Sequence, residues 1–159
     1  ETVEVFFANN QILFRSEHIS FYTRLLEGNY PDTDRLIPTE FNTEATFNVA
    51  NLRFAMERAR LLSNATQNGT VKLEFKNGVV SSHVHSPEVG RVNEEIDTSA
   101  VSGEDLSISF NPTYLIEALK AIDSEQVVIR FISSVRPFTL VPEGNEQGFI
   151  QLITPVRTN

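Results

Sequence analysis

The clearest pattern along the chain is a repeated helix signal. The segment FNVANLRFAM at residues 47–56 aligns with FNPTYLIEAL at residues 110–119, and the two share Phe, Asn, Leu and Ala at one constant offset. In both copies apolar residues recur at i, i+3, i+4 and i+7, which predicts a helix with one buried face. These residues are Leu52, Ala55, Met56 and Ala59 in the first copy, and Leu115, Ala118, Leu119 and Ile122 in the second.

Each predicted helix has a start signal and is followed by β-type runs. Asn48 and Asn111 are suited to cap a helix, because the side-chain oxygen can accept a hydrogen bond from a free backbone N–H, and Pro112 suits the first helical position. The Asn77-Gly78 dipeptide predicts a tight hairpin. The runs are VKLEFK, VVSSHVH and VGRVNEEID after the first helix, and VVIRFI, RPFTLV and FIQLITPV after the second. The sequence therefore predicts two strand-helix-three-strand units in one α+β domain.

The chain before the first unit has a strand-like pattern of its own. VEVFF, QILFRS and ISFYTRLL predict three strands that end a further unit, whose helix would precede Glu1. A polar stretch with Pro31 and Pro38 follows and interrupts regular strand pairing. We expect residues 1–36 to be the closing strands of one domain and a linker, and residues 37–159 to form the next domain.

Composition excludes several classes of protein. The 159 residues are 40% hydrophobic and 21% charged, and no apolar run reaches the roughly 18 residues that span a bilayer. The absence of cysteine excludes disulfides and thiolate sites and fits the reducing cytoplasm, although sequons at Asn64 and Asn68 also allow a glycosylated secreted protein. The net charge of −8 argues against tight nucleic-acid binding through the whole surface, because phosphate affinity needs clustered Lys and Arg. DNA contacts are therefore expected to be local or weak.

Few residues could form a catalytic or metal site. His83 and His85 share one face of a predicted strand, so they could hold a metal ion together with His18 or Glu88. The interpretation we favour is a pair of partly exposed histidines beside a hairpin. A run of carboxylates is interpreted as a solvated strand edge: Glu94, Glu95 and Asp97. The sequence predicts no active site, no metal and no cofactor.

Three segments resemble the bacterial sliding clamps, the beta subunits of DNA polymerase III. LLEGNYPDTDRLIP at 25–38 resembles the passage from the second clamp domain to the third, ISFNPTYLIEALKAI at 108–122 the last helix, and QLITPVR at 151–157 the final strand. The resemblance implies a sliding-clamp fold and a DNA replication processivity factor that is not an enzyme. In this family a ring-shaped homodimer encircles duplex DNA without sequence specificity, and it tethers replicative and repair polymerases and the clamp loader through short peptide motifs. The present chain alone is expected to be monomeric.

The resemblance also implies three groups of site residues. The peptide-binding pocket is expected to be lined by Tyr30, Pro31, Arg35, Leu36, Asn111, Tyr114, Val135, Pro137, Leu152, Thr154, Pro155, Val156 and Arg157. The DNA-facing cations are expected to be Arg53, Arg58, Arg60 and Lys120, and the subunit interface to include Leu61 and Leu62. Two pocket positions depart from the family pattern, since Thr154 replaces a flexible apolar residue such as Met and Pro137 replaces a small polar residue.

Two other classes of protein fit part of the sequence. The strand content, the pI of about 4.9 and the sequons would suit a secreted β-rich adhesion or carbohydrate-binding domain. Such a sandwich does not need two capped amphipathic helices with matching apolar faces, so the repeat favours the clamp. A metal-dependent hydrolase built on His83 and His85 is the third possibility.

Overall fold

The structure is a computed structural model that describes residues 2–30, 32–63, 69–86, 90–144 and 148–157. It divides into two compact units, Glu1–Asp34 and Arg35–Asn159. No helix in the described ranges is long and apolar enough to cross a membrane.

The first unit is a three-stranded antiparallel sheet. Its strands are β1 (Glu4–Phe7), β2 (Gln11–Arg15) and β3 (Ser20–Arg24), and β2 lies in the middle. None of residues 2–30 is buried. One aromatic contact joins β2 to β3, where the ring centroids of Phe14 and Phe21 lie 6.3 Å apart. The three predicted strands are thus present, but they bury no core.

The second unit contains two helices and nine strands among its described residues. A short 3-10 turn at Thr33–Arg35 lies at the boundary in sequence and ends at the first residue of this unit. Its first repeat comprises β4 (Thr43–Asn48), α1 (Val49–Ser63), β5 (Val71–Lys76), β6 (Val79–Ser86) and β7 (Gly90–Ile96). Its second comprises β8 (Ala100–Gly103), β9 (Leu106–Phe110), α2 (Pro112–Lys120), β10 (Gln126–Phe131), β11 (Phe138–Pro142) and β12 (Gln151–Ile153).

The two repeats interlock through their strand pairing. One sheet has the order β12-β11-β10-β4-β8 and the other has the order β7-β6-β5-β9. The strand before each helix therefore pairs with the first strand after the other helix: β4 with β10, and β9 with β5. As a consequence neither repeat can complete a sheet without its partner.

The core lies between the two sheets and the apolar faces of the helices. Four phenylalanine rings connect the sheets, with Phe75 packed on Phe131, Phe131 on Phe138, and Phe138 on Phe110 at centroid distances of 4.9 to 5.1 Å. All eight residues of the predicted helical stripes are buried. The prediction of two helices, each with one buried face, is confirmed.

The predicted helix starts and hairpin are also present. The Asn48 side chain accepts a hydrogen bond from the backbone N–H of Asn51 at 3.1 Å, and Asn111 accepts one from Thr113 at 2.9 Å. Asn77 and Gly78 both have positive φ, as a tight hairpin requires. Strand β8 was not predicted, because its four residues AVSG carry no β pattern and depend on pairing with β4.

Candidate functional site

A groove of about 420 Å³ lies between α2 and the edge strand β12. Helical spacing aligns Tyr114, Glu117 and Ala118 on one side of α2, while Leu115 and Leu119 are buried in the core. Ala118 is small, so the helix leaves space beside the strand. The groove is lined by Tyr114, Glu117, Ala118, Gln151, Leu152, Ile153 and Thr154.

The groove has the chemistry of a site for an extended peptide. Leu152 and Ile153 supply apolar wall, and Tyr114 is 59% exposed, so its ring can cover an incoming side chain. Thr154 and Gln151 supply hydrogen-bonding groups at the strand. Peptide anchors commonly occupy such apolar surfaces that carry a few polar groups.

Three of the predicted pocket residues therefore lie together in one groove, namely Tyr114, Leu152 and Thr154. Asn111 and Val156 flank it and have structural contacts. The Asn111 side-chain oxygen caps α2, and the Val156 N–H donates to the Ser109 carbonyl at 2.7 Å, which fixes the chain end against β9. Other predicted pocket residues lie close along the chain, with Pro155 half-buried and Arg157 exposed.

The remaining predicted pocket residues are not among those that line this groove. Val135 and Pro137 lie in the turn between β10 and β11, and Arg35 and Leu36 begin the second unit, where both are exposed. Tyr30 belongs to the first unit and is exposed, and Pro31 lies outside the described residues. Their part in a pocket stays a prediction.

Four groove residues were missed by the sequence reasoning: Glu117, Ala118, Gln151 and Ile153. A signal for two of them was present, because residues three and four positions after Tyr114 must share its side of a helix. The pairing of β12 with β11, which makes β12 an edge strand, has no such local signal.

The repeat builds a second groove, of about 260 Å³, between α1 and the edge strand β7. At the constant offset of the repeat, Asn51 and Ala55 occupy the positions of Tyr114 and Ala118. Its lining consists of Asn51, Phe54, Ala55, Arg58, Glu94, Glu95, Ile96 and Asp97. The two grooves therefore share a backbone frame and differ in chemistry.

An ion pair crosses this second groove. Arg58 Nε donates to Glu94 Oε2 at 3.3 Å, and Arg58 Nη2 donates to Glu94 Oε1. The hydrogen bond with Glu94 raises the pKa of the Arg58 guanidinium. The pair joins α1 to β7, and no described ion pair joins α2 to β12 in the same way.

The cations predicted to face DNA are mostly paired with carboxylates. Arg58 binds Glu94, Lys120 Nζ lies 2.9 Å from Glu117 Oε1, and Arg53 Nε lies 3.8 Å from Glu57 Oε1. Arg53 Nε is buried without a hydrogen-bond partner, and its guanidinium lies 5.3 Å from the Phe54 ring centroid. Within the described chain, no carboxylate pairs with Arg60. The positive charge of these helices is thus largely compensated.

The fold places the two predicted interface residues, Leu61 and Leu62, in different environments. Leu61 is 72% exposed, whereas Leu62 is half-buried and packs against the core. An exposed leucine at the end of α1 can contact another subunit, while Leu62 already contributes to its own domain. Their role at an interface stays a prediction.

His83 has partners of its own on the sheet surface. Its ring nitrogens lie 2.9 Å from Ser81 Oγ and 2.8 Å from Asn93 Oδ1. Of the other candidate ligands, His85 is exposed, His18 belongs to the first unit and Glu88 lies outside the described residues. The described residues contain no group of three or more potential metal ligands.

Comparison with known proteins first defines the class. The fold matches the crystal structure of the DNA polymerase III beta chain of Streptococcus pneumoniae with a TM-score of 0.91 at 79% identity, over 98% of this chain and 41% of that one. It matches the sliding clamp of Bacillus subtilis with a TM-score of 0.87 at 38% identity, over 99% and 41%. The fold is that of a DNA sliding clamp.

Sequence comparison then identifies the family. The chain is 80% identical to the beta sliding clamp of Streptococcus pneumoniae over 159 residues, all of this chain and 42% of that protein. Residues 34–157 match the family described as DNA polymerase III beta subunit, C-terminal domain, and the chain belongs to this family. It spans 42% of the length of the curated relatives. The secreted adhesion or carbohydrate-binding alternative finds no support in these relatives.

Proposed function

We propose that the chain is the C-terminal part of a DNA replication processivity factor, and that the groove between α2 and β12 binds short peptides of partner proteins. The observation that carries the proposal is the groove itself. In a chain of the sliding-clamp family, it places the exposed Tyr114 beside an edge strand, among residues predicted to form the pocket. The proposed partners are replicative and repair polymerases and the clamp loader. No chemical step is proposed for the chain, which acts as a tether.

The peptide proposal is tested with the full chain and extended peptides that contain a Leu and a C-terminal aromatic residue. Tyr114→Ala is expected to weaken binding about tenfold in a fluorescence polarisation titration, because a tyrosine anchor typically contributes more than about 1 kcal/mol. The matched control is Phe54→Ala, which removes an exposed aromatic residue from the other helix. Equal losses in both variants, or none in Tyr114→Ala, would refute the assignment of the groove.

We also propose the domain assignment of residues 1–36 as the end of the second clamp domain and residues 37–159 as the third. The support is that none of residues 2–30 is buried, whereas a stable small sheet normally buries one face. The full-length protein would be a ring-shaped homodimer around duplex DNA in the cytoplasm, with Leu61 and Leu62 at the subunit interface. The chain alone is expected to be monomeric in light scattering, and a stable dimer at micromolar concentration would contradict this.

Duplex DNA is proposed to contact the helices weakly and without sequence preference. A closed ring would stay on the DNA that it encircles without a high affinity for it. In addition, three of the four candidate cations are already paired with carboxylates. The dissociation constant of the chain is therefore expected to be about 100 µM or weaker at physiological salt. A sub-micromolar, sequence-specific complex in a gel-shift titration would exclude a tether of this kind.

A further inference from the structure

Glu117 is the charged residue among the described residues that line the α2 groove. Its Oε1 lies 2.9 Å from Lys120 Nζ, one turn along the same helix. Both side chains are about half exposed, at 60% for Glu117 and 49% for Lys120. Exposed ion pairs of this spacing are weak, and either partner can pair with another charged group instead. The Glu117 carboxylate therefore remains available to a cation of a bound peptide.

Among the described residues, no side-chain pair bridges the two walls of the α2 groove. No side-chain hydrogen bond crosses from α2 to residues 151–154, in contrast to the Arg58–Glu94 pair that spans the counterpart groove. Lys120 does not line the groove, whereas Glu117 does. An occupant of the groove therefore meets a carboxylate on the helix side and neutral side chains on the strand side.

We propose that Glu117 determines which partner peptides the groove prefers. It favours a Lys or Arg next to the apolar residues that fill the groove, and it disfavours an Asp or Glu at that place. The inference rests on the proposed peptide-binding function and adds to it a preference for positive over negative peptide residues, which we call the charge rule. A carboxylate at the rim of a mainly neutral site attracts a peptide cation and repels a peptide anion, and both effects are strongest at low salt.

The expected effect is modest because the carboxylate is exposed. A single exposed pair changes affinity by up to about fivefold, and salt reduces the change since the Debye length falls to about 3 Å at 1 M. The net charge of −8 also attracts cationic peptides in general. Only the difference between the wild type and a Glu117 variant isolates the local contribution.

The test uses the full chain and a set of peptides with a Leu and a C-terminal aromatic residue. Each remaining peptide position carries either Lys or Glu, and dissociation constants are measured by fluorescence polarisation at low and high salt. We expect one position at which Lys binds about fivefold more tightly than Glu at low salt. Glu117→Gln should bring that ratio close to the ratio at the other positions, and Glu117→Lys should reverse it. The matched control is Glu57→Gln, which removes an ion-paired carboxylate from α1 and should leave the ratio unchanged.

The outcomes separate this inference from the function on which it rests. If no peptide of the set binds the wild type, the proposed function fails and the charge rule fails with it. If peptides bind but Glu117→Gln leaves every Lys-to-Glu ratio unchanged, the groove assignment survives and the role of Glu117 is refuted. A circular dichroism spectrum identical to that of the wild type shows that the exposed substitution has not altered the fold.

Discussion

Gly103 is the last residue of β8 and pairs with Thr43 of β4. Its replacement by alanine should destabilise the protein strongly. Its φ is +99°, and a Cβ atom there would overlap the carbonyl oxygen of Asn42 and lie 2.8 Å from the Thr43 Cα. The neighbouring backbone cannot move away easily. The Asn42 N–H donates to Phe131, the Asn42 carbonyl accepts from the Glu104 N–H at 3.0 Å, and Thr43 Oγ1 donates to the Glu104 carbonyl at 2.8 Å.

The free energy of unfolding lost in Gly103→Ala has two parts. A left-handed backbone conformation costs an alanine about 1 to 2 kcal/mol relative to glycine. Relieving an overlap in a packed region costs about 1 to 3 kcal/mol more. Alanine also lowers the entropy of the unfolded chain, which offsets about 0.4 to 1 kcal/mol. The net loss should be about 1 to 4.5 kcal/mol, a substantial fraction of the stability of a small domain.

Urea denaturation followed by circular dichroism measures this loss, and Gly78→Ala is its matched control. Gly78 has a φ of +78°, and an added Cβ atom would meet no atom of a non-adjacent residue within 4 Å. Gly78→Ala therefore loses the free energy of the left-handed backbone conformation without the steric overlap. The unfolded-state contribution is the same in both variants and cancels. Gly103→Ala should therefore be about 1 to 3 kcal/mol less stable than Gly78→Ala. Equal stabilities would show that β8 can move away from Asn42, which would refute the reasoning.

Three further experiments test other parts of the fold. Asn111→Ala should cost about 1 kcal/mol in urea denaturation because it removes the α2 cap, while Asn111→Asp should keep most of the stability. Phe131→Ala should cost about 3 to 5 kcal/mol, since the Phe131 ring contacts those of Phe75 and Phe138 across the core; a loss below about 1 kcal/mol would contradict this. A double-mutant cycle on Arg58 and Glu94 should give a coupling below about 1 kcal/mol, because the Arg58 side chain is more than half exposed and Glu94 is accessible in part, and a coupling above about 2 kcal/mol would contradict that view.

The local features of the fold could be predicted because neighbouring residues determine them. Capping by Asn48 and Asn111, the apolar stripes and the Asn77-Gly78 hairpin all depend on contacts within a few positions of the chain. The interlocked pairing of β4 with β10 and of β9 with β5 depends on contacts between the two repeats, at separations of about 30 to 90 residues. Periodicity carries no information about which distant strand will be the partner. Strand β8 was missed for the same reason.

The structure brings together only part of the pocket that the sequence predicts. Tyr114, Leu152 and Thr154 came from the family resemblance and lie together in the α2 groove. The resemblance did not point to Glu117, which also lines the groove, whereas the capping of α2 by the Asn111 side-chain oxygen was predicted from the sequence and is confirmed. The position of Glu117 in the groove depends on which side of α2 faces β12, and the assembled fold determines this.

The comparison of the two grooves shows where the repeats have diverged. The stripe residues Leu52 and Leu115, and likewise Ala55 and Ala118, occupy equivalent buried positions, because the interlocked core needs the same volume in both copies. The exposed groove residues, such as Phe54 and Glu117, are free of that constraint. Phe54 stands where the second copy has Glu117, and the Arg58–Glu94 ion pair spans the smaller groove beside α1, whereas no such pair crosses the α2 groove in the described structure. Since both copies share a backbone frame, the difference between a groove bridged by an ion pair and a groove without one depends on a few surface side chains, and these are the residues in which a binding function of this domain should be sought.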